Sequence, residues 1–456
     1  PSEAARANSS YSQAFQPEGT GVPMRQFFPR RVLWVALRGV PRARGALRGV
    51  LAAVVLSLVL VGCSGQQDWV TFRGTQGRGR AENAISPPLG IRWKLRLQRD
   101  SNSLAAFNPP VVLDDTIYFG STDGNFYALD IESGYMRWTF STDGPINSVP
   151  YADSENVYFG SVDGHAYALR REDGTEVWRF NTGRPVRSSV TRYEDMVMFA
   201  SDAGSTFAVD EHGEELFRLP NLIWYYITFQ VHDDVMYFAP GPIENPRSLA
   251  AYDVRTGEYL WLLETAMLGA VWYSFPAVDG DMLFMATGAP RGSYWELSYY
   301  GIDRHTGEIL WRYMDASHFP DGYYIDPELL FRRSIELLDF MAPAVVGNRV
   351  IFTSGDATVR AFDTRSGRLV WSSDLSYPTS SAPTIAGNTV YFGVHGDPSD
   401  SPDAAPARLL ALSARSGRKE WEMPIDGAVL SAPVIAGRRI LFGTQNSVFY
   451  ILEALF

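Results

Sequence analysis

Thr116-Ile-Tyr-Phe-Gly-Ser-Thr-Asp-Gly-Asn-Phe-Tyr-Ala-Leu-Asp130, followed by Ser133-Gly134 and Trp138, returns 40 residues later as Asn156-Val-Tyr-Phe-Gly-Ser-Val-Asp-Gly-His-Ala-Tyr-Ala-Leu-Arg170, followed by Asp173-Gly174 and Trp178. Weaker copies run through Val197–Asp210, Val235–Asp253, Met282–Asp303, Val350–Asp363, Val390–Ser413 and Ile440–Leu452. A late tryptophan marks each unit at Trp93, Trp138, Trp178, Trp261, Trp311, Trp371 and Trp421, with Phe217 in its place once. A period near 40 with insertions is the signature of four-stranded propeller blades. In the second unit the strands are predicted at Val149–Ala152, Val157–Ser161, His165–Leu169 and Glu176–Phe180. The Asp163-Gly164 pair suits the positive φ of a tight hairpin turn.

Counting the units closes a ring. Pro433 to Phe456 supplies three strands and no tryptophan strand, whereas Ile91-Arg92-Trp93-Lys94-Leu95 is a tryptophan strand with no unit before it. Pairing the two makes an eighth blade from both ends of the repeat region and hides the sheet edges that would otherwise invite aggregation. The expected fold is an all-β, eight-bladed β-propeller over residues 91–456. Because the tryptophan recurs once per unit, it reads as packing between neighbouring blades and not as a ligand platform.

Composition agrees. Of 456 residues 46% are hydrophobic and 13% aromatic, with 40 Gly and 28 Pro, which favours strands and turns. Forty Lys and Arg against 51 Asp and Glu give a net charge of −11, the wrong sign for a nucleic-acid binder. A single cysteine excludes a disulfide framework and an iron–sulfur cluster.

That cysteine sits in an address. Residues 1–23 are polar and patternless and read as an over-extended gene start. From Met24 the chain carries seven Arg and no acid, then a 13-residue apolar run from Val50 to Gly62 that ends in Leu60-Val61-Gly62-Cys63. Thirteen residues are too few to span a bilayer, which needs about 20, but they suit the core of a signal peptide. The ending resembles the bacterial lipobox, in which the peptide is cut before the cysteine and the thiol is acylated; Cys63 is the expected lipidation site. Residues 1–62 hold eight Arg against two Glu, so the net charge from Cys63 onward is −17. Such a surface repels anionic lipid heads, and attachment is expected through the acyl chains alone. Ser64 after the cysteine implies, by resemblance to known sorting rules, the periplasmic face of the outer membrane. Residues 63–90 read as tether and lead-in.

The repeats resemble the pyrroloquinoline-quinone-type propeller family, and Asp68-Trp69-Val70-Thr71-Phe72-Arg73-Gly74 looks like the lead-in before many such propellers. With the lipobox, the chain is similar to the BamB family, lipoproteins of the outer-membrane β-barrel assembly machinery. The resemblance implies a non-catalytic scaffold whose partner is an envelope protein such as a barrel-assembly complex, with no cofactor; it assigns no partner-contacting residue. Quinoprotein dehydrogenases share the repeat but use adjacent cysteines and a calcium held by Glu, Asn and Asp, and one cysteine cannot make that pair. His165, His212, His232, His305, His318 and His395 stand singly, without metal-ligand spacing. Asp397, Asp400 and Asp403 read as a solvated Pro/Ser-rich insertion and not as an EF-hand.

Insertions separate two faces. Turns between first and second strands, and between third and fourth, stay tight. Pro240–Ser248, Gly288–Ser298 and Val394–Ala407 fall between second and third strands, and Arg312–Met341 falls between blades. These two connection types open onto one face of a propeller, so that face is elaborated and is the expected binding face. Its aromatic pairs supply the partner-binding candidates Trp224, Tyr225, Tyr226, Trp272, Tyr273, Tyr294 and Trp295, since Trp and Tyr are favoured interface anchors. Asp326-Pro327-Glu328 has the caps of a helix inside the longest insertion. A surface lipoprotein that binds glycans through these aromatics, and a quinone-dependent enzyme, are the alternative functions.

Overall fold

A computed structural model describes residues 68–74, 77–96, 108–202, 204–220, 230–238, 248–264, 272–291, 294–317, 341–397 and 404–456. All belong to the unit from Cys63 to Phe456. They form eight antiparallel blades in a closed propeller, and the second is representative: Tyr151–Ala152, Asn156–Gly160, His165–Arg170 and Glu176–Asn181, paired in that order. Its hairpin turn works as the Asp-Gly pair predicts. Gly164 takes φ 95°, while the Asp163 carboxylate accepts the backbone N–H of His165 at 2.9 Å and the Tyr167 hydroxyl at 2.7 Å.

Alternation along the strands would leave a lone blade with two apolar faces, and stacking is what buries them. The buried clusters therefore straddle pairs of blades. Phe126 of blade 1 stacks on Phe159 of blade 2 with centroids 4.1 Å apart, and one cluster unites Val111, Tyr118 and Trp138 with Ala152, Val157 and Leu169. Gly120 permits this closeness, because a Cβ there would lie 2.1 Å from the Ile146 side chain at the entry to blade 2.

The tryptophans are clasps. In every outer strand the register shifts by one residue just before the aromatic position, as between Glu176 and Trp178, a bulge that re-aims the side chain toward the next blade. There the indole N–H donates to a turn carbonyl: Trp93 to Ile131, Trp138 to Arg171, Trp178 to Glu211, Trp261 to Arg304, Trp311 to Thr364 and Trp371 to Ala414, all at 2.8 to 3.1 Å. The same turn presents a glycine at positive φ under the ring, such as Gly174 under Trp138 and Gly367 under Trp311, where a Cβ would fall about 2.5 Å from the indole. Phe217 lacks the N–H, and the turn that receives it presents Gly257 against Tyr252 instead.

Closure occurs as the repeat count requires. Leu89–Arg96 pairs antiparallel with Val448–Ala454 and completes blade 8 with Arg439–Gly443 and Val434–Ala436. Arg92 bridges Glu453 at 2.9 Å and Glu132 of blade 1 at 2.6 Å, tying the seam to its neighbour.

The segment before that strand is more than a lead-in, because it crosses the ring from blade to blade. Trp69 exchanges backbone hydrogen bonds with Val112 of blade 1, and the Val70 carbonyl accepts from Ala152 of blade 2. Gln230 of blade 4 donates to the Gly77 carbonyl, and Arg78 pairs with Asp279 of blade 5. The Arg73 guanidinium donates to the Pro343 carbonyl of blade 6, and Arg80–Ala81 adds a parallel strand to blade 7 at Thr384–Ala386. The described part of the segment thus runs among the innermost strands and contacts blades 1, 2, 4, 5, 6 and 7 in turn. Arg73 is 1% exposed, and burial lowers its pKa to about 9; two of its nitrogens have no hydrogen-bond partner among the described residues. A buried cation without a counter-charge costs stability, so Arg73→Met, of similar volume, is expected to leave the urea midpoint unchanged or raised.

Candidate functional site

Among the described residues, the elaborated face is built up most at blade 5. Its second and third strands, Met282–Arg291 and Tyr294–Asp303, each run ten residues, against five or six in blade 2, and the outer strand Ile309–Ser317 follows them upward. The expected Gly288–Ser298 insertion is therefore an extended hairpin. Trp272–Tyr273 pairs onto it opposite Gly288 and Thr287, so two of the candidate aromatic pairs share this one sheet.

Within the hairpin the pleat decides which aromatic is free. Tyr294 is 40% exposed at the tip. Trp295 is 1% exposed and packs with Phe352, Phe362 and Tyr299 between blades 5 and 6. Trp295 is thus corrected from a rim residue to a core residue, because neighbours on a strand point to opposite sides. Trp224, Tyr225, Tyr226, the Asp326 helix, Cys63, Asp400 and Asp403 lie outside the described residues.

Below Tyr294 lies a cluster that sequence reasoning missed. Arg360, 4% exposed, donates to Asp356 at 2.8 Å, Asp315 at 2.9 Å and the Tyr299 hydroxyl at 3.1 Å. Burial opposes its charge, while Tyr299 and the two carboxylates hold its pKa above the ordinary value; burial raises that of Tyr299. The signal was in the repeat. Asp356 and Arg360 occupy the positions of Asp123 and Tyr127 in blade 1 and of Asp163 and Tyr167 in blade 2, where tyrosine donates to the turn aspartate at 2.7 Å. An arginine in a tyrosine's place is the departure to notice. Every charge in the cluster is paired, so it locks blade 6 to the blade 5 extension.

One further pair invites a chemical reading. His395 Nε2 lies 2.8 Å from the Ser380 hydroxyl at the entry to blade 7. Burial alone pushes the His395 pKa down to about 4, and no charged neighbour contributes to the shift. A nucleophilic dyad needs a group that stabilises the imidazolium, which these surroundings do not supply. The pair does imply a pH dependence. With a folded value near 4 against about 6.5 unfolded, stability is fully present above pH 6.5 and is lost as pH falls toward 4. Urea unfolding at pH 7.5 and 5.0 should show a loss of about 2 kcal/mol attributable to this group. That share should vanish in His395→Gln.

Among the described residues no three His, Cys, Asp or Glu side chains converge as a metal site. A cleft of about 790 Å³ between blades 1 to 3 is lined by Arg137, Arg171, Glu155 and Glu211, and one of about 380 Å³ lies between Phe72 and Tyr193, Gln230 and His232. The first is bordered by turns of blades 1 to 3, and the second lies inside the ring, between the segment at Val70, Phe72 and Gly77 and the innermost strands of blades 2 to 4.

A family model described as the outer membrane protein assembly factor BamB matches residues 90–220 and 300–397. No curated protein matches the chain. Among solved structures, BamB from Moraxella catarrhalis is 15% identical, covering 80% of this chain and 100% of its own, with a TM-score of 0.55. The quinohemoprotein alcohol dehydrogenase of Comamonas testosteroni is 15% identical, with coverages of 87% and 82% and a TM-score of 0.60. A europium-containing methanol dehydrogenase is 11% identical, with coverages of 87% and 100% and a TM-score of 0.58. At these identities the structures establish the shared propeller, a fold that binding proteins and enzymes both use.

Proposed function

The chain belongs to the family of the outer membrane protein assembly factor BamB, and from that membership we propose that it is a non-catalytic, lipid-anchored binding propeller of the bacterial envelope that assists outer-membrane protein assembly. Cys63 carries the lipid, and the protein is held at the periplasmic side of the outer membrane. The elaborated face engages an envelope partner, a β-barrel assembly complex, with Tyr294 and the Trp272–Tyr273 strand on the blade 5 extension; Trp224, Tyr225 and Tyr226 remain candidates for the same face.

Family membership carries this reading, and the segment that runs among the innermost strands supports it. Quinone-dependent chemistry, the rival that the dehydrogenase neighbours suggest, fits these residues poorly. Residues 69–74 and 77–81 lie among the innermost strands with main-chain pairing to blades 1, 2, 6 and 7, and the one thiol precedes the propeller. The test is affinity capture of the tagged, full-length protein from gently solubilised native membranes, with quantitative mass spectrometry. Enrichment of barrel-assembly subunits, together with an acylated N-terminal Cys63 peptide, is the expected result. Recovery of the protein alone, or saturable binding of added quinone and calcium with dye reduction, would overturn it.

A further inference from the structure

We infer that the plain face of the propeller lies against an anionic phospholipid surface, so that the elaborated face points away from the membrane. This rests on the reading of Cys63 as the lipid anchor. Its first support is covalent. Asp68 sits at the plain face, where its carboxylate accepts the backbone N–H of Asp114, in the turn between the first two strands of blade 1, at 2.9 Å. Asp114 in turn pairs with Arg171, in the turn between the last two strands of blade 2, at 2.7 Å. Both turns open on that face. Four residues separate Cys63 from Asp68, and the five Cα-to-Cα steps between them span at most roughly 17 Å. An acylated Cys63 therefore cannot leave the membrane surface without bringing the plain face with it.

The second support is the distribution of charge. A net charge of −17 predicts repulsion from anionic headgroups, but the charge is not spread evenly. On blades 1 to 5 the plain face stays acidic. Asp114, Asp153, Asp234 and Asp233 pair with Arg171, Arg192, Arg255 and Arg304. Asp115, Glu155, Glu172, Asp173 and Asp195 are exposed there with no ion-paired arginine among the described residues, which turns that sector away from anionic headgroups. On blades 6 and 7 the corresponding turns expose Arg365, Arg368, Arg415 and Arg418, and among the described residues none of the four pairs with a carboxylate. Arg438 of blade 8 is exposed beside them and donates to the Phe456 carbonyl. Arginine suits the phosphate of a headgroup, and each such residue near a charged leaflet contributes about 1 kcal/mol. The acyl chains set the distance, and this sector sets which edge settles closest.

The sole natural thiol is the acylated one, so single introduced cysteines can be labelled without background. Ser416→Cys and Thr256→Cys place a fluorophore on exposed plain-face turns; Asp143→Cys and Arg184→Cys place it on connections of the elaborated face. The full lipoprotein is reconstituted into vesicles of phosphatidylcholine, with or without phosphatidylglycerol, that contain a headgroup-attached quencher. Labels at Ser416 and Thr256 should be quenched several-fold more than those at Asp143 and Arg184. The Ser416 label should be quenched further with phosphatidylglycerol, a gain abolished by Arg365→Ser with Arg415→Ser. Equal quenching on both faces, or stronger quenching at Asp143 and Arg184, would overturn the orientation. The mass of the N-terminal peptide keeps the two readings apart: acylation with reversed quenching sinks the orientation alone, whereas an unmodified Cys63 sinks the anchor and the orientation with it.

Discussion

A chain that begins at residue 97 is expected to lose the folded propeller altogether. Without Leu89–Arg96 the strand Val448–Ala454 keeps a free edge, and the loss reaches the interior as well as the surface. Trp69, Ala81, Ile85 and Leu89 belong to the same buried cluster as Leu441, Phe449 and Ile451. Burying a large apolar side chain contributes about 1.5–3 kcal/mol. Losing Trp69, Ile85 and Leu89 together with the strand's hydrogen bonds therefore removes on the order of 5–10 kcal/mol, comparable to the whole stability of a typical domain. An open edge also templates association. Size exclusion should show oligomers or aggregate in place of a monomer. Adding a synthetic peptide of residues 68–96 should restore a monomer with cooperative unfolding, because the closing strand and the channel segment form one continuous piece.

Trp311→Ala should be the most damaging single substitution among the clasps. Trp311 packs between Phe284 of blade 5 and Phe362 of blade 6, each 6.1 Å away by centroid, and lies over Gly367 while its N–H reaches Thr364. Truncating a buried tryptophan to alanine costs about 3–5 kcal/mol, and the glycine beneath cannot relax to fill the hole. Trp311→Phe separates packing from hydrogen bonding. It keeps most of the ring and leaves the Thr364 carbonyl without its donor, for about 1 kcal/mol. Blade 3 already lives with that arrangement at Phe217. Urea unfolding of the three proteins, followed by tryptophan-independent circular dichroism, should rank wild type above Trp311→Phe above Trp311→Ala. Equal midpoints for wild type and alanine would mean that the blades are not held together by these clasps.

What could be read before the fold was known follows from what repeats. Strand alternation, the tight turns and the late tryptophan, which Phe217 replaces once, are local patterns that recur from unit to unit, so blade number, closure and the structural role of Trp138 or Trp178 were legible. The channel segment is written once. Its partners lie far along the chain, as with Arg73 and Pro343 or Ile85 and Tyr391, and no periodicity announces such contacts. Trp295 shows a subtler limit. Alternation established that Tyr294 and Trp295 point to opposite sides, but the hairpin extends beyond the repeating unit, and only its register with Ser317 and Arg291 says which side is the core. The Arg360 cluster was legible in principle, as arginine in a tyrosine's place opposite Asp356. A single departure inside one unit leaves the period intact, and Asp315, its partner on the neighbouring blade, lies 45 residues away.

The binding role joins these features: a ring closed at its seam, a segment threaded among the innermost strands, and one face built up at blade 5. The most direct test of that role places a photo-crosslinking amino acid at Tyr294 or Asp143 on the elaborated face, or at Thr256 on the plain face, and irradiates cells that make the full lipoprotein. The account predicts adducts from Tyr294 and Asp143 to a subunit of the barrel-assembly complex and none to that subunit from Thr256. Adducts to it from Thr256 alone, or no protein adducts from any of the three, would contradict it.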